Sequence, residues 1–241
     1  MNFIFIILIF LISAVIARIL IPRILLISLR KKLFDIPDDR KVHKRAIPRL
    51  GGVSFFPTTL FAFCLVYTFR LLGGDSVSTL YASYLLPELL LFACGMTLLY
   101  LTGIADDLVG VRYRQKFVIQ IFCACLFPLS GLWINDLYGL FGIHELSVYV
   151  GIPFTILTVV FITNAINLID GIDGLASGLS SVALLIFTFL FIEKGLWSYA
   201  MLAAGTFGVL VPFFYYNVFG SVERARKIFM GDTGSLTLGY V

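Results

Sequence analysis

The sequence predicts an all-α fold, a polytopic transmembrane helix bundle with seven complete spans and the start of an eighth, forming one integral membrane domain over residues 1–241. Three observations carry that expectation. Of the residues, 60% are hydrophobic and only 13% charged, giving a mean hydropathy of +1.00, far from the balance of a soluble domain. Apolar windows approaching or exceeding the ~20 residues needed to cross a bilayer fall at 3–29, 53–72, 84–105, 117–134, 148–166, 175–192 and 198–216. The basic residues are concentrated in alternate loops.

The first window has no positive region ahead of it and its loop charges follow it, the reverse of a cleavable signal. It therefore reads as a first helix with its N-terminus outside. Arg18 and Arg23 lie within it and are expected to snorkel to the near interface. Loop 30–52 carries Arg30, Lys31, Lys32, Arg40, Lys41, Lys44, Arg45 and Arg49; loop 106–116 carries Arg112, Arg114 and Lys116; loop 217–234 carries Arg224, Arg226 and Lys227. The intervening loops contain only Lys194, with Arg70 at a helix end. The positive-inside rule puts the basic set in the cytoplasm. An eighth apolar run starts at Ser235 and reaches Val241. Cys64, Cys94, Cys123 and Cys125 all sit in apolar runs without metal-ligand spacing and read as packing residues.

This topology sorts the acids. Asp106, Asp107, Asp170, Asp173 and Asp232 all fall at cytoplasmic helix ends, in loops far apart in sequence. Three clusters of acid converging on one positively biased face call for a shared partner, and a divalent cation with phosphate is the simplest. In "GIADDLVG", Gly103 to Gly110, adjacent carboxylates repel and favour a nearby cation. Lys116 lies ten residues beyond Asp106, within reach of a phosphate. In "NAINLIDGIDG", Asn164, Asn167, Asp170 and Asp173 recur every three residues. Gly171 suits a helix C-cap and Asp173 the start of the next helix. Amides in an apolar run are costly unless satisfied, and these hard oxygen donors suit Mg²⁺ held by one or two protein groups plus phosphate oxygens.

"KIFMGDTGSLTLG", Lys227 to Gly239, reads as a helix start whose backbone N–H groups are open to an anion, with Asp232 available to a metal. "PDDRKVHKRAIPRLGG", Pro37 to Gly52, is a basic loop attracted to anionic lipid. Its sharper reading is a clamp in which His43 and Arg49 meet an anionic substrate and Gly51 and Gly52 let phosphate approach the backbone. Nothing points to nucleic acid. A secondary transporter is the rival class, since intramembrane acids and amides also mark ion paths, but its acids belong near the bilayer midplane.

In this order, the loop ending "PRLGG", "GIADDLVGVRYRQKFVIQ", "NAINLIDGIDGLASG" and "KIFMGDTGSLTLG" resemble the polyprenyl-phosphate N-acetylhexosamine-1-phosphate transferases, glycosyltransferase family 4. "RKVHKRAIPRLGG" looks closer to the undecaprenyl-phosphate N-acetylglucosamine-1-phosphate transferases than to the phospho-N-acetylmuramoyl-pentapeptide transferases, whose loop typically reads more like "GTPTMGG". The resemblance implies a bacterial inner-membrane enzyme with a cytoplasmic active site that joins a UDP-N-acetylhexosamine to undecaprenyl phosphate, and it is compatible with a homodimer. It implies that Asp106 and Asp107 handle the polyprenyl phosphate and that Lys116 lies near the pyrophosphate. Asn167, Asp170 and Asp173 match the second acidic motif, and Asp232 matches an aspartate associated with Mg²⁺, for which Mn²⁺ is a possible substitute. Asp232, Asn167 and Asp170 are thus the expected metal ligands. Members of the family continue into a histidine-bearing loop and further helices, so the resemblance implies a chain truncated at its C-terminus.

Overall fold

The computed structural model describes residues 2–31, 33–35, 47–73, 79–221, 223 and 226–241. Its main elements are α1 (Asn2–Lys31), the short strands β1 (Phe34–Asp35) and β2 (Ile47–Pro48), a 3₁₀ turn at Gly51–Ser54, and α2 (Phe55–Leu72). The helices α3 (Thr79–Val109), α4 (Tyr113–Leu129), α5 (Val148–Ile169), α6 (Leu175–Glu193), α7 (Trp197–Val218) and α8 (Gly231–Tyr240) follow. Helix is the expected answer to an apolar surround, because it satisfies every backbone polar group within the segment. β1 and β2 pair antiparallel, Phe34 with Pro48 and Asp35 with Ile47, and bring together the two ends of the first basic loop.

Among the described residues six helices are long and apolar enough to span a membrane: α1, α2 with the preceding 3₁₀ turn, the Tyr84–Val109 part of α3, α5, α6 and α7. The chain is a multi-pass membrane protein. The expected fourth span, 117–134, is corrected. α4 begins earlier, at Tyr113, so that it includes Arg114 and Lys116, and it ends at Leu129, with Gly131 in the left-handed region (φ 93°) closing the turn. Its 17 residues reach about 25 Å, short of a ~30 Å hydrocarbon core. α4 still carries the chain back across the bundle, since the C-terminal ends of α3 and α5 meet around α8.

α7 is the central helix. Its small residues Ala200, Ala203, Ala204, Gly205 and Gly208 are buried, and a Cβ at Gly208 would lie 2.5 Å from the Phe10 carbonyl oxygen. α1 answers with a stripe of Ile6, Ile9, Ser13, Ala17, Ile21, Leu25 and Ser28, spaced three or four apart on one face. Small residues at the seam let the two backbones approach where hydrophobic expulsion from water offers no drive. The cysteines only partly follow expectation: Cys123 is buried, whereas Cys64, Cys94 and Cys125 are exposed on helix surfaces.

α8 departs furthest from expectation. It starts at Gly231, before the apolar run, and every residue from Thr233 to Tyr240 is buried. It packs between α3, α5 and the 3₁₀ turn, where side chains have been removed to admit it. A Cβ at Gly103 would meet the Cα of Thr233 at 2.4 Å and its backbone nitrogen at 2.7 Å. Gly103→Ala therefore forces backbone against backbone. The expected cost is about 1–3 kcal/mol, seen as a lower melting temperature in detergent, whereas Gly171→Ala, whose nearest neighbouring atom would be 3.8 Å away, leaves stability unchanged.

Candidate functional site

The acids of the three loops meet at the N-terminus of α8. The first backbone N–H groups of a helix have no intrahelical acceptor, and the helix dipole makes that end partly positive. Here Asp107, from the last turn of α3, supplies acceptors in trans. Its Oδ1 accepts the Asp232 N–H at 2.9 Å, and its Oδ2 accepts the Thr233 N–H at 3.0 Å and the Thr233 hydroxyl at 2.6 Å. Asp170, just past α5, accepts the Gly231 N–H. The expectation that the Gly-Asp-Thr-Gly-Ser backbone is open to an external anion is thereby overturned: carboxylates of the chain itself occupy its first amides.

The two glycines of the first loop also take a different place from the phosphate cradle expected of them. Gly51 and Gly52 donate their N–H groups to the carbonyls of Phe229 and Met230, each at 2.8 Å. A Cβ on Gly52 would lie 2.1 Å from the Cα of Gly234, so the missing side chain serves the docking of α8. Arg49 donates to the Asp107 backbone carbonyl at 3.2 Å, and its Nε lies 3.9 Å from Asp107 Oδ1. His43 lies outside the described residues.

Asp106 points elsewhere. Its Oδ2 accepts from Lys116 Nζ at 2.7 Å and its Oδ1 from the Val111 N–H. Lys116 also reaches Asp232 Oδ2 at 3.2 Å, so one ammonium bridges α3 and α8. Burial by itself would lower the lysine pKa, but the bonds and charges of Asp106 and Asp232 outweigh it and hold the ammonium above its ordinary value. Asn167 Nδ2 donates to Asp232 Oδ1 and to Ser235 Oγ. Burial, followed by the Asp106 carboxylate, pushes Asp232 up to about 6 against the opposing pull of Lys116 and Asn167. Asp170 is raised well above the usual carboxylate range, first by burial and then by Asp232, Asp107 and Asp173, with the Gly231 N–H opposing.

Asp173 does not cap the next helix. Gly174 holds that position, left-handed at φ 73°, and donates its N–H to Asn217 Oδ1 at 2.7 Å. Gly171 is not left-handed, so the turn places its positive φ three residues later than expected. Asp173 instead pairs with Lys227 of the segment entering α8, which supplies the basic partner that its own stretch lacks. Asn164 is satisfied one turn away from Asn167 by Gln120 of α4 and by the Val160 carbonyl. Gln120, Thr233 and Asn217 are the functional neighbours that sequence reasoning passed over. The available signal was a buried amide or hydroxyl inside an apolar run.

Asp106, Asp107, Asp173 and Asp232 thus pair with Arg49, Lys116 or Lys227, while Asp170 rests on the Gly231 N–H. No group of three acids, histidines or cysteines among the described residues converges as a preformed metal cage. The neighbouring carboxylates of Asp232 and Asp170 are hard oxygen donors of the kind that hold Mg²⁺ in ones and twos together with phosphate.

Fold and site together define a polytopic membrane protein with an electron-rich, lysine-bridged site at one end of its helices. The chain belongs to glycosyl transferase family 4, whose family model matches residues 89–241. It is 31% identical over 232 residues to a probable undecaprenyl-phosphate N-acetylglucosaminyl 1-phosphate transferase of Bacillus subtilis (strain 168), covering 96% of this chain and 59% of that protein. It is 30% identical over 221 residues to an undecaprenyl-phosphate alpha-N-acetylglucosaminyl 1-phosphate transferase of Yersinia pestis, covering 89% of this chain and 54% of that one. A phospho-N-acetylmuramoyl-pentapeptide-transferase of Staphylococcus carnosus (strain TM300) is 30% identical over 261 residues, covering 100% of this chain and 74% of the relative. The chain thus spans a little over half the length of the first two relatives.

Proposed function

We propose that the protein containing this chain transfers N-acetylglucosamine 1-phosphate from its UDP-sugar to undecaprenyl phosphate, releasing UMP, at the cytoplasmic face of a bacterial inner membrane. The observation that carries the reading is the convergence of Asp106, Asp107, Asp170, Asp173 and Asp232 with Lys116 around one helix start in a chain of this family. The basic loops on that same side support the cytoplasmic orientation. An ion-coupled transporter would carry its acids midway along the helices, whereas these lie at helix ends.

The lipid phosphate attacks the β-phosphorus of the nucleotide sugar, a bond to its oxygen forms, and the bond to the UMP oxygen breaks. Because a phosphate monoester has a second pKa near ~6, the nucleophile is already largely ionised at neutral pH, and no strong base is required. Orientation and charge neutralisation carry the reaction. Asp232 and Asn167, with Asp170 beside them, would hold Mg²⁺. When bound, the ion offsets negative charge on the pyrophosphate. Lys116, on the rim between Asp106 and Asp232, turns to the phosphate once that charge arrives. Asp107 keeps α8 seated.

The direct test is Mg²⁺-dependent UMP release from UDP-N-acetylglucosamine and undecaprenyl phosphate by the full-length protein. No release with any UDP-N-acetylhexosamine would sink the reading. The Staphylococcus relative, matched over its greater share, makes UDP-N-acetylmuramoyl-pentapeptide the informative second donor. Lys116→Ala is expected to lower kcat/KM by about 100-fold or more, the scale of losing one preorganised charge at a phosphoryl centre.

A further inference from the structure

Asn217 is the penultimate residue of α7 and is only 3% exposed. A buried amide is costly unless its oxygen and its nitrogen both find partners. Both do here, and neither partner belongs to α7. Oδ1 accepts the Gly174 N–H at 2.7 Å, and Nδ2 donates to the Ile228 carbonyl at 3.0 Å. Gly174 closes the turn that carries Asp170 and Asp173, while Ile228 lies on the segment that enters α8 and delivers Asp232. One side chain therefore ties together two acid-bearing turns that lie far apart in sequence.

The backbone around this junction is closely packed. A Cβ on Gly174 would lie 2.5 Å from Val218 Cγ2, so the turn rests against the last residue of α7. A Cβ on Gly220 would lie 2.5 Å from the Arg226 carbonyl oxygen and 2.8 Å from the Lys227 Cα, so the returning chain runs beside the end of that helix. The Lys227–Asp173 ion pair links the same two turns, but its side chains keep 13% and 29% of their surface in contact with solvent, and a pair open to water is a weak tether. Asn217 is the buried one. Its short planar amide offers an acceptor and a donor from a single stem, whereas an ionised aspartate offers acceptors alone and leucine neither. We propose that Asn217 is a positioning residue that sets the spacing between the turn carrying Asp170 and Asp173 and the segment carrying Asp232. Its consequence for catalysis rests on the transfer reading above, while the tether itself stands on the two hydrogen bonds.

The test compares the full-length protein with its Asn217→Leu and Asn217→Asp variants. Asn217→Leu removes both bonds, and Asn217→Asp keeps the acceptor for Gly174 but sets an oxygen against the Ile228 carbonyl. Hydrogen–deuterium exchange in detergent and EDTA reads the tether without any turnover. Asn217→Leu is expected to speed uptake in peptides covering 171–176 and 226–232, and Asn217→Asp in the second peptide alone, with 197–210 of α7 unchanged in both. Unchanged uptake in the two peptides, or faster uptake throughout α7, overturns the proposal. Steady-state UMP release then reads the consequence. Loss of positioning should lower kcat about 100-fold in Asn217→Leu and about tenfold in Asn217→Asp, the scale of one hydrogen bond, with the KM for UDP-N-acetylglucosamine unchanged. A raised KM with kcat retained would make Asn217 a contact to the donor and overturns the positioning role. Should Asn217→Leu fail to fold, Asn217→Asp, which keeps one bond and the side-chain shape, decides both readouts. A parent that releases no UMP sinks the transfer reading, and hydrogen exchange still decides the tether.

Discussion

Asp107→Asn is expected to lower the melting temperature more than the same exchange at any other acid of the cluster, and to cost activity that added Mg²⁺ does not restore. Both oxygens of Asp107 are engaged, by two backbone N–H groups and a hydroxyl, and its side chain is 1% exposed. An amide in its place turns one acceptor into a donor facing donors. Hydrogen bonds to a charged group contribute about 1.5–3 kcal/mol each, and a buried group left unpaired costs a similar amount. A loss of about 3 kcal/mol or more is the expected result, read by thermal unfolding in detergent. With α8 displaced by even an ångström, Asp232 leaves the site, and turnover should fall by about 100-fold. Asp106→Asn is the comparison. It touches Lys116, a single loop N–H and the Asp232 carboxyl, against which its charge is unfavourable, so it should weaken catalysis with a smaller fall in melting temperature. Equal melting temperatures for the two variants would remove Asp107 from the role of cap.

That contrast shows where sequence reasoning reached and where it stopped. Adjacent aspartates read as one motif, yet neighbours on a helix diverge by about 100°. Asp106 consequently faces α4 while Asp107 faces α8, and no spacing rule assigns them separate tasks. The spans were legible because length and hydropathy are local properties. α1, α5, α6 and α7 begin and end within a few residues of their apolar windows. The convergence of the acids was legible too, because loop charge and span parity together fix which helix ends share a face.

The burial of α8 was not legible, because its ten residues look like an unfinished span by length alone. The trace it leaves lies in other elements. Gly52, Gly95 and Gly103 occupy the places where a side chain would strike α8, and two of them lie eight residues apart on one face of α3. The partner of Asp173 was hidden for a related reason. Lys227 is 54 residues away, and only the path of the chain around Asn217 brings it back. Gly171 and Gly174 are the same residue three positions apart, and nothing short of the backbone angles says which of them turns left-handed.

Asp232→Asn should separate stability from function in the opposite sense to Asp107→Asn. The Asp232 carboxyl sits above its ordinary range, at about 6, chiefly through burial and then through Asp106. A carboxyl whose folded pKa exceeds its unfolded value favours the folded state most when protonated. That contribution is fully present below the unfolded value and fades as pH rises through about 4 to 6. In metal-free protein at pH 7 the ionised group therefore opposes folding, by an amount on the order of 3 kcal/mol. The neutral amide removes that opposition and retains an oxygen for Asn167; its NH₂ replaces the oxygen that accepted from Lys116, which keeps Asp106 as its acceptor. In EDTA at pH 7 the variant is expected to melt no lower than the parent, and its stability should change less between pH 5 and pH 7. Its Mg²⁺-dependent UMP release should fall by about 1,000-fold, since the proposed metal loses its charged ligand. A variant that melts well below the parent would make Asp232 a structural anchor, and one that keeps its activity would remove it from the metal.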